Sequence, residues 1–319
     1  MNANERLAEI EAEIKGSAQR LKTLHDERTV AQSRPEPLTT AHPLLAAESI
    51  KPRSFCLVAQ GDSWFDYPGQ DLINWLRDRH GHQIDNIAVA GSTLNDIVYG
   101  KVPKNWLGIP QSHDTSRSAE LINLIAKKRP DGVLLSGGGN DIAGPEFFTF
   151  VNNALSGLGN PNKEVLDGVV AETFTKAYTD LLGLILEKAH QMGMLKMKVF
   201  VHGYDHPFPD GRGFTAFNFV GPWFHDSFNK KNYPYDPSGP DAAAQLKARR
   251  DIVAAFIDSF NIMLAKLVTE PQFTGRVHYM NLRDTLPSHA DWANELHPKQ
   301  DGFRKLAAKI DVVLHKELP

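Results

Sequence analysis

The chain has 319 residues, 41 % hydrophobic and 23 % charged, and its 35 Lys and Arg against 38 Asp and Glu leave a net charge of −3. That composition excludes wholesale disorder and a collagen-like or disulfide-stapled fold. It is also too evenly charged for a surface built to hold nucleic acid.

The first segment, residues 1–34, repeats apolar side chains at alternating steps of three and four: Leu7, Ile10, Ile14, Leu21 and Leu24, with Ser17 at the polar seam position. This predicts an amphipathic, coiled-coil-like helix that either self-associates into a homo-oligomer or packs on its own domain. Residues 35–52, with Pro35, Pro37, Pro43 and Pro52, cannot continue it and read as a linker. The polar start Met1-Asn2-Ala3-Asn4-Glu5-Arg6 precedes no apolar core of a secretory signal, and no stretch approaches about 18 uninterrupted apolar residues. The expectation is a cytoplasmic protein without a membrane span. The single cysteine, Cys56, cannot form an internal disulfide and is expected as a buried thiol.

From residue 53 to 319 short apolar runs alternate with helical patterns. Strands are predicted at Phe55–Gln60, Ile84–Ala90, Gly132–Ser136, Lys198–His202 and Arg276–Asn281, several too uniformly apolar for a sheet with one wet face. Helices are predicted at Asp71–Arg79, Ser118–Lys128, Val170–Gln191, Asp241–Val268 and Gln300–His315. Strand-then-helix alternation implies an α/β domain with a parallel sheet of about five strands covered on both faces. Residues 203–240 break the scheme with six prolines and many aromatics, among them Phe208, Phe214, Trp223, Phe224 and Phe228. So aromatic a loop reads as an ordered insertion near a site, a lid or binding wall, or as cover for a sheet edge.

Four motifs fall where such a fold builds its site, beyond the carboxyl ends of the strands. Gly61-Asp62-Ser63-Trp64 follows the first strand, Gly91-Ser92-Thr93 the second, and Gly137-Gly138-Gly139-Asn140-Asp141 the third, while His297-Pro298 precedes the last helix. A lone Gly-Asp-Ser is weak, because serines are frequent at turns and helix caps. The triple glycine lacks the Gly-Lys-Ser/Thr of a phosphate loop. The histidines at 202, 206 and 225 show no regular metal-ligand spacing.

Taken in order, these motifs resemble the four blocks of the SGNH, or GDSL, hydrolase superfamily: Ser63 the first, Gly91 the second, Asn140 the third and His297 the last. The resemblance spans about Phe55 to Leu318. It implies a flavodoxin-like three-layer α/β/α sandwich and a serine esterase or acylhydrolase needing no metal or organic cofactor. The substrate would be a small-molecule ester, O-acyl or O-acetyl. It further implies that Ser63 is the nucleophile and His297 its base, with an oxyanion hole made by the Ser63 and Gly91 backbone N–H groups and the Asn140 amide. The last block departs from the family's Asp-x-x-His and reads Asn294-Glu295-Leu296-His297. Asn294 can set the imidazole tautomer without supplying charge; Asp291 or Glu295 could supply a carboxylate from a displaced position, or Ser63 and His297 could act as a dyad. The same departure leaves open a second class, a non-catalytic carbohydrate- or protein-binding module on the hydrolase scaffold.

Overall fold

The computed structural model describes residues 53–100, 117–214 and 221–318. The expected helix at 1–34, the linker at 35–52 and the centre of the insertion at 215–220 lie outside the described residues. Among the described residues no helix is long and apolar enough to cross a membrane.

Five strands, β1 (Cys56–Gln60), β2 (Gln83–Asn86), β3 (Gly132–Leu135), β4 (Lys198–His202) and β5 (Val277–Met280), pair in parallel in the order β2-β1-β3-β4-β5. This is the flavodoxin-like order, which opens a crevice where the direction of winding reverses, between β1 and β3. The inner strands are apolar because both of their faces are covered: Leu57–Ala59, Val133–Leu135 and Val199–Val201 are all buried. Helices α1 (Leu72–Asp78), α2 (Leu94–Tyr99), α3 (Arg117–Lys128), α4 (Phe147–Phe150), α5 (Lys163–Asp167), α6 (Thr175–Gln191), α7 (His225–Lys230), α8 (Ala242–Leu267) and α9 (Gln300–Glu317) complete the layers. Helix α1 packs on α9, while α2, α3, α6 and α8 form a second connected row. The result is the three-layer α/β/α sandwich that the strand and helix alternation predicts.

Local chemistry sets several boundaries. Asp71 starts α1 by accepting the Asn74 N–H at 2.7 Å, and Thr93 starts α2 by accepting the Asp96 N–H at 3.0 Å. The second strand ends at Asn86, short of the expected Ala90. There the Asn86 amide donates to the Phe65 carbonyl at 2.7 Å and accepts the Ala88 N–H at 3.1 Å, while the Ile87 and Val89 N–H groups still reach the Ala59 and Gly61 carbonyls at 2.9 and 3.1 Å. Helix α6 is entered through a π-helical segment, Gly168–Phe174, whose widened turns leave carbonyls for the Thr173 and Thr175 hydroxyls five residues on.

The described parts of the 203–240 insertion are tied to α8. Arg249 is fully buried and donates to the Tyr233 and Pro209 carbonyls and to the Asn229 side chain. Helix α7, which the sequence pattern did not reveal, lies within the insertion.

Candidate active site

The crevice is approached first by the turn after β1. Gly61 is obligatory there, because a Cβ would stand 2.7 Å from the Ser136 Cβ at the end of β3. Asp62 then accepts the Trp64 N–H at 3.0 Å and the Ser136 hydroxyl at 2.9 Å on one oxygen, and the Tyr204 hydroxyl on the other. These bonds make Asp62 the brace of the turn and leave Ser63 pointing into the crevice.

The loop before α9 brings the second component. His297 Nε2 lies 2.7 Å from Ser63 Oγ, and His297 Nδ1 lies 3.0 Å from Asn294 Oδ1. The same Asn294 oxygen accepts the Leu296 N–H at 3.0 Å and the His297 N–H at 2.9 Å. Two backbone donors identify that atom as oxygen, so Nδ1 must carry the imidazole proton and Nε2 is left as an acceptor. The amide nitrogen of Asn294 donates to the Tyr67 hydroxyl at 3.3 Å, and the Tyr67 ring stacks on His297 with centroids 4.4 Å apart. Trp64 Nε1 donates to the Leu296 carbonyl at 3.1 Å, which clasps the serine turn to the histidine loop.

The three candidate partners of His297 are thus sorted by geometry. Asp291 accepts the Ser288 N–H at 3.0 Å and pairs with Lys305 at 2.7 Å, capping a short 3-10 turn. Glu295 is fully buried and turns the other way: it accepts the Gly211 N–H at 2.9 Å and the Trp223 and Phe224 N–H groups at 2.6 and 2.8 Å. Only Asn294 meets the imidazole among these three. Trp223, anchored by Glu295, in turn sets its edge on His297 with centroids 5.5 Å apart.

Burial governs the charge states. Desolvation pushes His297 down to about 3, so the imidazole is neutral across the physiological range. It pushes Tyr67 up to about 12. Glu295 is pushed up to about 7 by burial, against the pull of its three backbone donors.

Asn140 approaches from the β3 side, its amide donating to the Ser92 carbonyl at 3.0 Å. Asp141 accepts the Leu94 N–H at 2.7 Å, so the third motif holds the start of α2 just after Gly91; burial raises Asp141 to about 6. Ser63, Asn140 and His297 line one cavity of about 660 Å³, mouth included. Gly91 sits at φ +80° on the exposed loop beside it and is not among the cavity's lining residues. The walls are apolar, with Ile142, Phe147, Phe224, Val253, Phe256 and Phe260 prominent. The contribution of α8 to that wall, and the Tyr67 stack, carry no sequence motif and were not anticipated.

No family model matches the sequence, and no curated protein matches it. Among solved structures, a family 3 carbohydrate esterase of Clostridium thermocellum shares 16 % identity over 83 % of this chain and 99 % of its own, with a TM-score of 0.43. A catalytic mutant of an acetylxylan esterase from Geobacillus stearothermophilus shares 15 % over 82 % and 94 %, with a TM-score of 0.41. A psychrotrophic esterase from Pseudoalteromonas sp., inhibited by monoethylphosphonate, shares 14 % over 82 % and 97 %, with a TM-score of 0.35. By its strand order, and by the Ser63, Asn140 and His297 that its strand-end loops bring to one cavity, the chain carries a fold of the SGNH-hydrolase type.

Proposed function

We propose that the protein is a serine esterase or acylhydrolase that cleaves a small-molecule ester with an apolar acyl group through a Ser63 acyl-enzyme. The observation that carries this reading is the chain Ser63 Oγ, His297, Asn294, at 2.7 and 3.0 Å, opening on an apolar cavity. Ser63 Oγ attacks the ester carbonyl as its proton passes to His297 Nε2. The tetrahedral oxyanion is met by the Asn140 amide and the Ser63 backbone N–H, with the Gly91 N–H, on the exposed loop beside the cavity, assigned a part by the motif resemblance alone. The carbon–oxygen bond to the alcohol breaks as Nε2 returns the proton to the leaving oxygen, and water repeats the sequence to free the acid. Asn294 keeps Nδ1 protonated throughout and adds no negative charge. The apolar wall offers the acyl group desolvation rather than hydrogen bonds, favouring an uncharged chain.

A fluorophosphonate probe tests this directly. Labelling at Ser63, found by peptide mass spectrometry, is the expected result. Ser63→Ala should abolish labelling and lower p-nitrophenyl ester turnover by roughly 10⁴–10⁶-fold. Well-folded protein that takes up no label, or takes it elsewhere, would overturn the assignment.

A further inference from the structure

At the opposite end of the sheet, where β1 begins, three histidines converge on one carboxylate. Asp311 and His315 stand one turn apart on α9 and therefore share a face. His80 and His82 come from the loop between α1 and β2. Asp311 Oδ1 lies 2.8 Å from His82 Nε2 and 3.1 Å from His315 Nδ1, and its Oδ2 lies 2.9 Å from His80 Nδ1. Ligand atoms of His82, Asp311 and His315 all fall within 4.8 Å of one another.

Counting donors reveals what the cluster lacks. His315 Nε2 faces the Arg53 carbonyl at 3.0 Å, and His315 Nδ1 faces the Asp311 carbonyl at 3.0 Å as well as the carboxylate. Both ring nitrogens thus meet oxygen acceptors, and a neutral imidazole has one proton to give. A metal ion on the Nδ1 lone pair, with Nε2–H donating to the Arg53 carbonyl, would satisfy both nitrogens of a neutral ring. That Nε2–H bond is the outer hydrogen bond that ordinarily fixes the tautomer of a ligating histidine.

The geometry points to a divalent transition-metal site formed by His82 Nε2, Asp311 and His315 Nδ1, with the fourth position left to water. Two imidazoles and one carboxylate suit zinc-like ions and are a poor match for the all-oxygen shells of calcium or magnesium. Tetrahedral bonds of about 2.0–2.1 Å require ligand atoms roughly 3.3 Å apart, within reach of small side-chain shifts from the present spacing. Binding breaks the 3.3 Å hydrogen bond from the Phe55 N–H to His82 Nδ1 and replaces the direct contacts of His82 Nε2 and His315 Nδ1 with Asp311 by bonds to the ion. The ion would fasten α9 to the α1–β2 loop and the start of β1.

The test uses the full chain after chelator treatment, titrated with Zn²⁺ and separately with Mg²⁺, read by calorimetry and thermal unfolding. One saturable Zn²⁺ equivalent that raises the melting temperature, with no response to Mg²⁺, is expected. His315→Ala should weaken that binding by more than about 100-fold. If this variant misfolds by circular dichroism, Asp311→Asn serves in its place and should weaken it by at least about 10-fold. Absence of saturable Zn²⁺ binding, or binding unchanged in the variants, would overturn the site.

Discussion

The two ends of the sheet surround histidine with opposite partners. Beyond the carboxyl ends, His297 is buried, meets the neutral amide of Asn294, and is pushed down to about 3 by desolvation. At the amino ends, His82 and His315 share a carboxylate, and both ring nitrogens of His315 face oxygen acceptors. The same side chain is prepared at one end to take up a proton transiently and at the other to hold a cation permanently. What differs is the partner and the water around it, and both are set by which loop the histidine rides on.

This contrast can be broken at either end. Changes beyond the carboxyl ends should alter turnover while sparing zinc binding, and changes at Asp311 or His315 should do the reverse. After Ser63→Ala, the largest such effect is expected for Asn140→Ala, which removes an oxyanion donor and should cut kcat by about 10²–10³-fold, equivalent to about 2.7–4 kcal/mol. Steady-state kinetics would check it, with the melting temperature staying near that of the parent.

Glu295→Gln comes next. The amide nitrogen it introduces must face at least one of the backbone donors from Gly211, Trp223 or Phe224, and this should cost about 1–3 kcal/mol in urea unfolding. Ester KM should rise with it, because Trp223 and Phe224 lose their anchor. A variant as stable as the parent would show that the insertion is held in place by other contacts.

The smallest change carries the sharpest sign. Activity needs neutral His297, so kcat/KM is retained above the folded-state value and lost as pH falls through it. With that value near 3, the parent should keep its kcat/KM from pH 7 down to pH 5, where an ordinary histidine near 6.5 would be mostly protonated. Asn294→Asp places a carboxylate against the imidazole, favours the charged form, and should move the acid limb upward by about one unit or more, some 1.4 kcal/mol. The neighbouring Leu296 and His297 N–H groups and the Tyr67 hydroxyl can all donate to the new carboxylate. A limb that stays in place would show that residue 294 does not govern the imidazole.

The strands were legible because a sheet covered on both faces writes itself as apolar runs, and the motifs at their ends mark where the chain turns into the crevice. Ser63, Asn140 and His297 could therefore be named from sequence and are found around one cavity. The partner of His297 is favoured as Asn294 on register alone, because Asp291, Asn294 and Glu295 all lie within six residues of it and only the fold decides which way each carboxyl or amide points. The α8 wall was hidden for a related reason. Val253, Phe256 and Phe260 follow an ordinary helical core spacing, and nothing in that spacing says whether the face meets a sheet or a cavity. Helix α7 was missed because six residues among prolines leave too short a period to detect.

The clasp from Trp64 Nε1 to the Leu296 carbonyl joins residues 232 positions apart, as the Ser63 to His297 contact joins residues 234 apart. On a growing polypeptide the serine-bearing turn therefore emerges long before its histidine exists. The early strands can pair while the crevice is still without a base, and chemical competence arrives only when the α9 segment docks. On the proposed function, the Ser63–His297 pair is completed only after all five strands have emerged.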